Sequence, residues 1–228
     1  MSLIEQFQFN FLDDSRWQFI VSGLKNTIII TFFAVLLGVF LGFLIAIVRS
    51  THDKTGKLKI LNVICRVYLT VIRGTPTMIQ LMITYYIIFA SVNVSKIFVA
   101  VCAFGINSGA YVAEIVRSGI MSIDQGQFEA GRSLGFNYVQ TMRLIILPQA
   151  FKNVLPALGN EMIVLLKETS ISGYVGTMDL TKGGDIIRST TYEAYLPLFG
   201  VAAIYLVIVM LMTAGVNRLE RKLRTNER

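Results

Sequence analysis

Arg73-Gly74-Thr75-Pro76, the trio Asn107, Tyr111 and Glu114, and the pair Asn160-Glu161 are polar groups set inside long apolar runs. The trio is spaced by four and three residues, which puts all three on one face of a helix. Counted from Lys152 at 1.5 Å per residue, Glu161 lies about 13 Å along its run, near the middle of a hydrocarbon core about 30 Å thick. A carboxylate at that depth either takes up a proton or seeks a cation. Arg73 lies roughly 20 Å along its run from Ile60. A guanidinium there costs at least about 2.5 kcal/mol on insertion scales unless it faces a partner or a wet cavity; the other reading is that it satisfies carbonyls freed by Pro76. Such groups can ion-pair and hydrogen-bond with a polar solute. Covalent catalysis is a poor fit, because Glu114, Glu161 and Lys167 form no recognised acid–base constellation and the single His52 sits in a basic loop. Glu114 is also spaced to pair with Arg117 on its own helix.

Helical membrane spans are the elements able to carry these groups. With 54% hydrophobic and 15% charged residues, the chain reads as an all-α, multi-pass membrane protein. Apolar runs at about Phe19 to Val48, Ile60 to Ala90, Ile97 to Val116, Val154 to Leu166 and Tyr195 to Val216 predict five transmembrane helices. Fourteen of the 21 basic residues fall in the segments that are cytoplasmic if the amino terminus is outside, and five fall in the outer ones. The positive-inside rule therefore predicts an outside amino terminus and a cytoplasmic carboxy terminus. The net charge of +7 is then a topological signal, and dispersed basic residues without interleaved aromatics exclude a nucleic-acid surface.

Residues 1–18 read as an outer amphipathic lead-in able to lie on the membrane surface, or as a tail anchored at Trp17. Glu5, Asp13 and Asp14 without a basic n-region argue against a cleaved signal peptide. The transmembrane domain covers 19–217, and a basic tail, 218–228, is expected to meet anionic headgroups. Gly38 and Gly42 form a GxxxG pair suited to close helix approach. Arg73 to Pro76 should kink or break the second run. Cys65 and Cys102 lack metal-type spacing. The outer stretch from Ser170 to Tyr195 is open to three readings: a contact for a delivery protein, a gate folded over a cavity, or a solvated loop.

The most specific segment is EAGRSLGFNYVQTMRLIILP, from Glu129 to Pro148. A short amphipathic helix about 129–138 is expected there, lying across the cytoplasmic surface and suited to a groove on a soluble partner. Glu129, Ala130 and Gly131, then Gly135 after three residues, then Ile145, Leu147 and Pro148, reproduce the spacing of the EAA loop. The chain thereby resembles the permease subunits of ATP-binding-cassette importers. Segments reading RGTP, INSGAYVAE, LGNE and LLKETS further resemble the polar amino-acid branch of that family, and the likeness extends from about Gly23 onward. The departure is Gly131, where the family pattern prefers Ala; there it softens the coupling helix.

The resemblance implies a bacterial cytoplasmic (inner) membrane protein, dimeric with itself or a second permease. It implies two cytoplasmic ATPase subunits carrying ATP and Mg, and an extracytoplasmic amino-acid-binding protein. The chain has no GxxxxGK[ST] loop, so it is expected to bind no cofactor and not to be an enzyme. Coupling to the ATPase is expected at Glu129, Ala130, Gly131, Arg132, Ser133, Leu134, Gly135 and Phe136. Substrate contact is expected first at Glu161, which would pair with an amino or guanidinium group, then at Asn160, Asn107, Tyr111 and Thr75. A membrane-depth acid favours a cationic amino acid such as arginine, lysine or histidine, although it could equally hold the α-ammonium of a neutral one. The alternative is a secondary amino-acid transporter driven by an ion gradient, for which more spans and inverted repeats would be usual.

Overall fold

The computed structural model describes residues 2–225; Met1 of the lead-in and residues 226–228 of the basic tail lie outside the described residues. Among them the chain is all-helical, with ten α-helices and no strand. The lead-in holds α1 (Leu3–Phe7), a π-turn (Gln8–Leu12) and a 3-10 turn (Asp13–Ser15). The long helices follow: α2 (Trp17–Thr55), α3 (Lys59–Gly74), α4 (Thr77–Ile83), which runs on as a π-turn to Ile88, and α5 (Lys96–Met121). Two short helices, α6 (Gln125–Ser133) and α7 (Tyr138–Thr141), lead through a π-turn (Met142–Ile146) into α8 (Leu147–Glu168). A 3-10 segment (Thr169–Val175) and α9 (Leu180–Thr191) precede α10 (Tyr195–Thr225), which carries the described part of the basic tail.

The five apolar runs fall on α2, on α3 with α4, and on α5, α8 and α10. Among the described residues three helices are long and apolar enough to cross a membrane: Trp17–Thr55, Lys96–Met121 and Tyr195–Leu223. The second run breaks completely. Thr75 is extended (φ −122°, ψ 148°), as a residue preceding proline should be, and Pro76 caps α4 from the extended region.

α2 and α5 form the spine of the fold. Gly38 packs on Ser108 and Gly42 on Val112 and Ala113; a Cβ on Gly42 would come within 2.5 Å of Val112 and 2.8 Å of the Ala113 nitrogen. The GxxxG pair thus joins two helices of one chain. One buried cluster, with Ile30, Leu81, Phe104 and Leu165, ties α2, α4, α5 and α8 together. A second, with Ala46, Val116, Phe128, Ile146 and Val154, runs from α2, α5 and α8 into α6. α6 therefore shares a core with the long helices.

The segment after α8 is folded and not a solvated loop. Asp179, fully buried, caps α9 by accepting from the Lys182 amide (2.9 Å) and from the Ser172 hydroxyl (2.8 Å). The Leu180 amide donates to Thr27 Oγ1 (3.0 Å), and Asn26 Nδ2 donates to the Met178 carbonyl (2.8 Å), which fixes α9 against α2. The lead-in is docked as well. Asn10, fully buried, donates to Glu193 at 2.6 Å, and Arg16 pairs with Asp14 and donates to the Phe9 carbonyl.

Candidate functional site

Freed backbone groups at the α3–α4 break are the first requirement, since a helix broken in an apolar setting must pair them. Gln80, one turn into α4, does so. Its Nε2 donates to the Ile72 carbonyl (2.7 Å), the Thr75 carbonyl (3.0 Å) and Thr75 Oγ1 (2.8 Å), while Thr75 donates to the Val71 carbonyl (2.8 Å). The other end of the amide, Oε1, accepts from Asn107 Nδ2 of α5 at 2.9 Å. Thr75 and Asn107, both singled out in the sequence, are thus joined through Gln80, which sequence reasoning missed. Its signal was a lone amide four residues after Pro76 in an apolar run. Asn107 is 1% exposed and its Oδ1 has no protein partner.

Tyr111 and Glu161 meet in an open groove of about 650 Å³ between α3, α5 and α8. Glu161 Oε1 accepts from the Ser108 hydroxyl at 2.9 Å. Ser108, one turn before Tyr111 on the buried side of α5, is a polar residue of the third run that was not among the expected substrate contacts. Asn160 is exposed and is not in the groove wall, whereas Arg73 is, with its guanidinium carbon 5.7 Å from the centre of the Tyr111 ring.

Glu114 stands in the same wall. It pairs with Arg117 on its own helix (2.7 Å), as the spacing allowed, and also with Arg49 of α2 (3.3 Å). A second cavity of about 520 Å³ adjoins, walled by Arg49, Arg66 and Arg117 and sharing Arg73 and Glu114 with the first. A polar solute could be paired and hydrogen-bonded along this path. Among the described residues no group of three or more His, Cys, Asp or Glu could hold a metal ion.

The expected single helix at about 129–138 is two helices meeting at a corner. α6 starts earlier, capped by Asp124 on the Gly126 amide (2.6 Å), and stops at Ser133. The reason is Gly135, whose φ of +79° turns the chain. Its amide donates to the Arg132 carbonyl (2.9 Å) and that of Phe136 to the Gly131 carbonyl (3.0 Å), a Schellman ending. No atom lies near a Cβ built on Gly135, so this glycine serves the turn and not close packing. Gly131 serves close packing, because α7 lays Thr141 directly over it. Glu129, Ala130, Arg132, Ser133 and Leu134 face outward, with Leu134 at 69% exposure and Phe136 half-buried. Inward, Phe128 lies under the Lys54 ammonium (4.5 Å to the ring centre). Burial pushes the Tyr138 phenol above the usual range, partly offset by the neighbouring Thr51 side chain. The corner is therefore fastened to the end of α2 as well as to α8.

Known proteins agree with this architecture. A chain in a crystal structure described as an amino acid ABC transporter with histidines superposes with a TM-score of 0.84 at 42% identity, covering 93% of this chain and 98% of its own. A Rickettsia typhi relative named for glutamine transport is 39% identical over 212 residues, 91% of this chain and 94% of its own length. The arginine transport system permease protein ArtQ of Bacillus subtilis is 36% identical over 211 residues, 92% and 94% of the two chains. The family described as binding-protein-dependent transport system inner membrane component matches residues 34–225. With that match across both the groove and the α6–α7 corner, the chain belongs to this family of transport permeases.

Proposed function

We propose that this permease passes a polar amino acid through the Glu161–Tyr111 groove, moved by ATPases that grip the α6–α7 corner. The observation that carries the reading is the shared core. Phe128 of the corner packs with Val116 of α5 and Val154 of α8, and those two helices also present Tyr111 and Glu161. A displacement of the corner therefore reaches the groove through packed side chains that resist compression. Residues Glu129 to Phe136 form the docking face for the partner, and Phe128 and Gly131 fix it to the bundle.

In the groove Glu161, steadied by Ser108, pairs with a solute cation, and the Tyr111 ring and hydroxyl line the way. Asn160, exposed and outside the groove wall, takes no part in this contact. Asn107 and Thr75 act through Gln80, holding open the broken helix that forms one wall. The names of the glutamine and arginine permeases support a polar amino acid. Glu161 adds a preference for cationic ones.

Five spans, formed by α2, α3 with α4, α5, α8 and α10, run from an outside amino terminus to a cytoplasmic carboxy terminus, as the basic-residue asymmetry supports. The lead-in and α9 then sit on the outer side, where a binding protein delivers solute. Two permease chains, alike or different, and two ATPases holding ATP and Mg complete the importer. ATP binding closes the ATPases and opens the groove outward, and hydrolysis resets it.

Uptake by proteoliposomes holding the assembled complex tests this directly. Glu161→Gln should cut uptake of a cationic amino acid about 10- to 100-fold, the worth of a hydrogen-bonded charge. Unchanged rate and solute preference would refute the role of Glu161. Transport at full rate without the ATPase would favour an ion-gradient carrier instead.

A further inference from the structure

Arg73 is a groove cation that, among the described residues, no hydrogen bond or ion pair occupies. The carbonyls it was positioned to satisfy are already paired, those of Ile72 and Thr75 by Gln80 and that of Val71 by Thr75. Glu114, the carboxylate beside it, is held by Arg117 and Arg49. Glu161 is bonded to Ser108. Among the described residues no hydrogen bond or ion pair engages the Arg73 guanidinium, which lies against the face of the Tyr111 ring and within electrostatic reach of Glu114. A guanidinium steadied by an aromatic face keeps its planar fork of N–H donors available to a groove occupant. Arg73 is exposed on the open groove and stands in the wall that also carries Glu161.

We propose that Arg73 binds the α-carboxylate of the transported amino acid, so that the groove recognises a zwitterion, with Glu161 taking its ammonium or cationic side chain. This rests on the groove being the substrate path. The fork matches a carboxylate with two parallel hydrogen bonds, which an amide or an amine cannot accept in the same way. The break at Thr75–Pro76 gives the residue its place. Arg73 is the penultimate residue of α3, so its donors lie where the wall opens. Glu114 and Arg73 are shared with the adjoining cavity of Arg49, Arg66 and Arg117, so a carboxylate leaving Arg73 meets further guanidinium groups along the same wall. Arg73 thereby sets specificity for amino acids over the corresponding amines and amides.

Direct binding to the purified permease–ATPase complex, without the binding protein that would filter solutes first, separates the possibilities. The probes are radiolabelled L-arginine and L-glutamine, with L-argininamide and L-glutaminamide as competitors that lack the carboxylate. In the native complex each amide should compete at least about tenfold less well than its parent acid. Arg73→Gln should weaken the amino acid about 10- to 100-fold and leave the amide within about twofold, with Arg73→Lys between the two. Equal weakening of acid and amide would mean a structural role and overturn the proposal. An amide that binds the native complex as tightly as the acid would overturn it without any variant. If Glu161→Gln alters binding and Arg73→Gln does not, the groove stands and this inference falls. If neither amino acid binds the native complex, both fall.

Discussion

Replacing Gly131 by Ala puts a Cβ 2.7 Å from Thr141 Cγ2 and 2.8 Å from its Oγ1. Thr141 is buried, and its hydroxyl donates to the Asn137 carbonyl at 3.0 Å. It cannot turn away without losing that bond, worth about 1 kcal/mol. Forcing a methyl into a filled contact costs about 1–3 kcal/mol. Against this, Ala is a better helix former than Gly by about 0.8–1 kcal/mol. The expected net result is a corner destabilised by about 1–2 kcal/mol, even though Ala is the residue usual at this place in the family. Hydrogen exchange across 125–141 reads it directly, since about 1.4 kcal/mol is a tenfold change in local opening. Thr141→Ala should rescue the Gly131→Ala protein, giving a coupling energy of about 1–2 kcal/mol in the double-mutant cycle. Exchange that slows in Gly131→Ala alone, with no coupling to Thr141, would refute the close contact between α6 and α7.

Gly42→Leu should abolish the α2–α5 contact, because the clash includes the Ala113 backbone as well as Val112; little monodisperse protein is expected after size-exclusion chromatography, and a native yield would refute the packing. On α9, Asp185 is held below its ordinary value of 3.8 by hydrogen bonds from Arg188 and Lys182. A depressed carboxyl stabilises the folded state above that ordinary value, and the contribution disappears as pH falls from it through the lower folded value. Protection across 180–191, taken relative to the intrinsic exchange rate at each pH, should therefore fall below about pH 4, modestly because the pair is exposed and salt-screened, and Asp185→Asn should remove that pH dependence.

Much of the architecture rests on local rules and was legible residue by residue. Apolar runs of helical length located the long helices, Pro76 located the break, and the Gly131–Gly135 spacing located the corner. The corner's division into two helices was hidden because a glycine permits a left-handed turn without requiring one. The folded state of the 170–191 segment was hidden for another reason. Its mixed composition leaves the local pattern ambiguous, and its order comes from Thr27 and Asn26, roughly 150 positions earlier.

The sequence alone determined that the chain is helical and apolar enough for a membrane and that it breaks at Pro76, because these follow from spacing within a turn or two of chain, while the permease family was legible through resemblance. Tertiary structure decided which polar groups serve the groove and which serve the fold. It joined Asn107 to Gln80, Glu114 to Arg49 and Glu161 to Ser108, and left Arg73 facing the groove. Those assignments depend on how each helix is rotated and how closely its neighbours approach, and close packing across distant segments sets both.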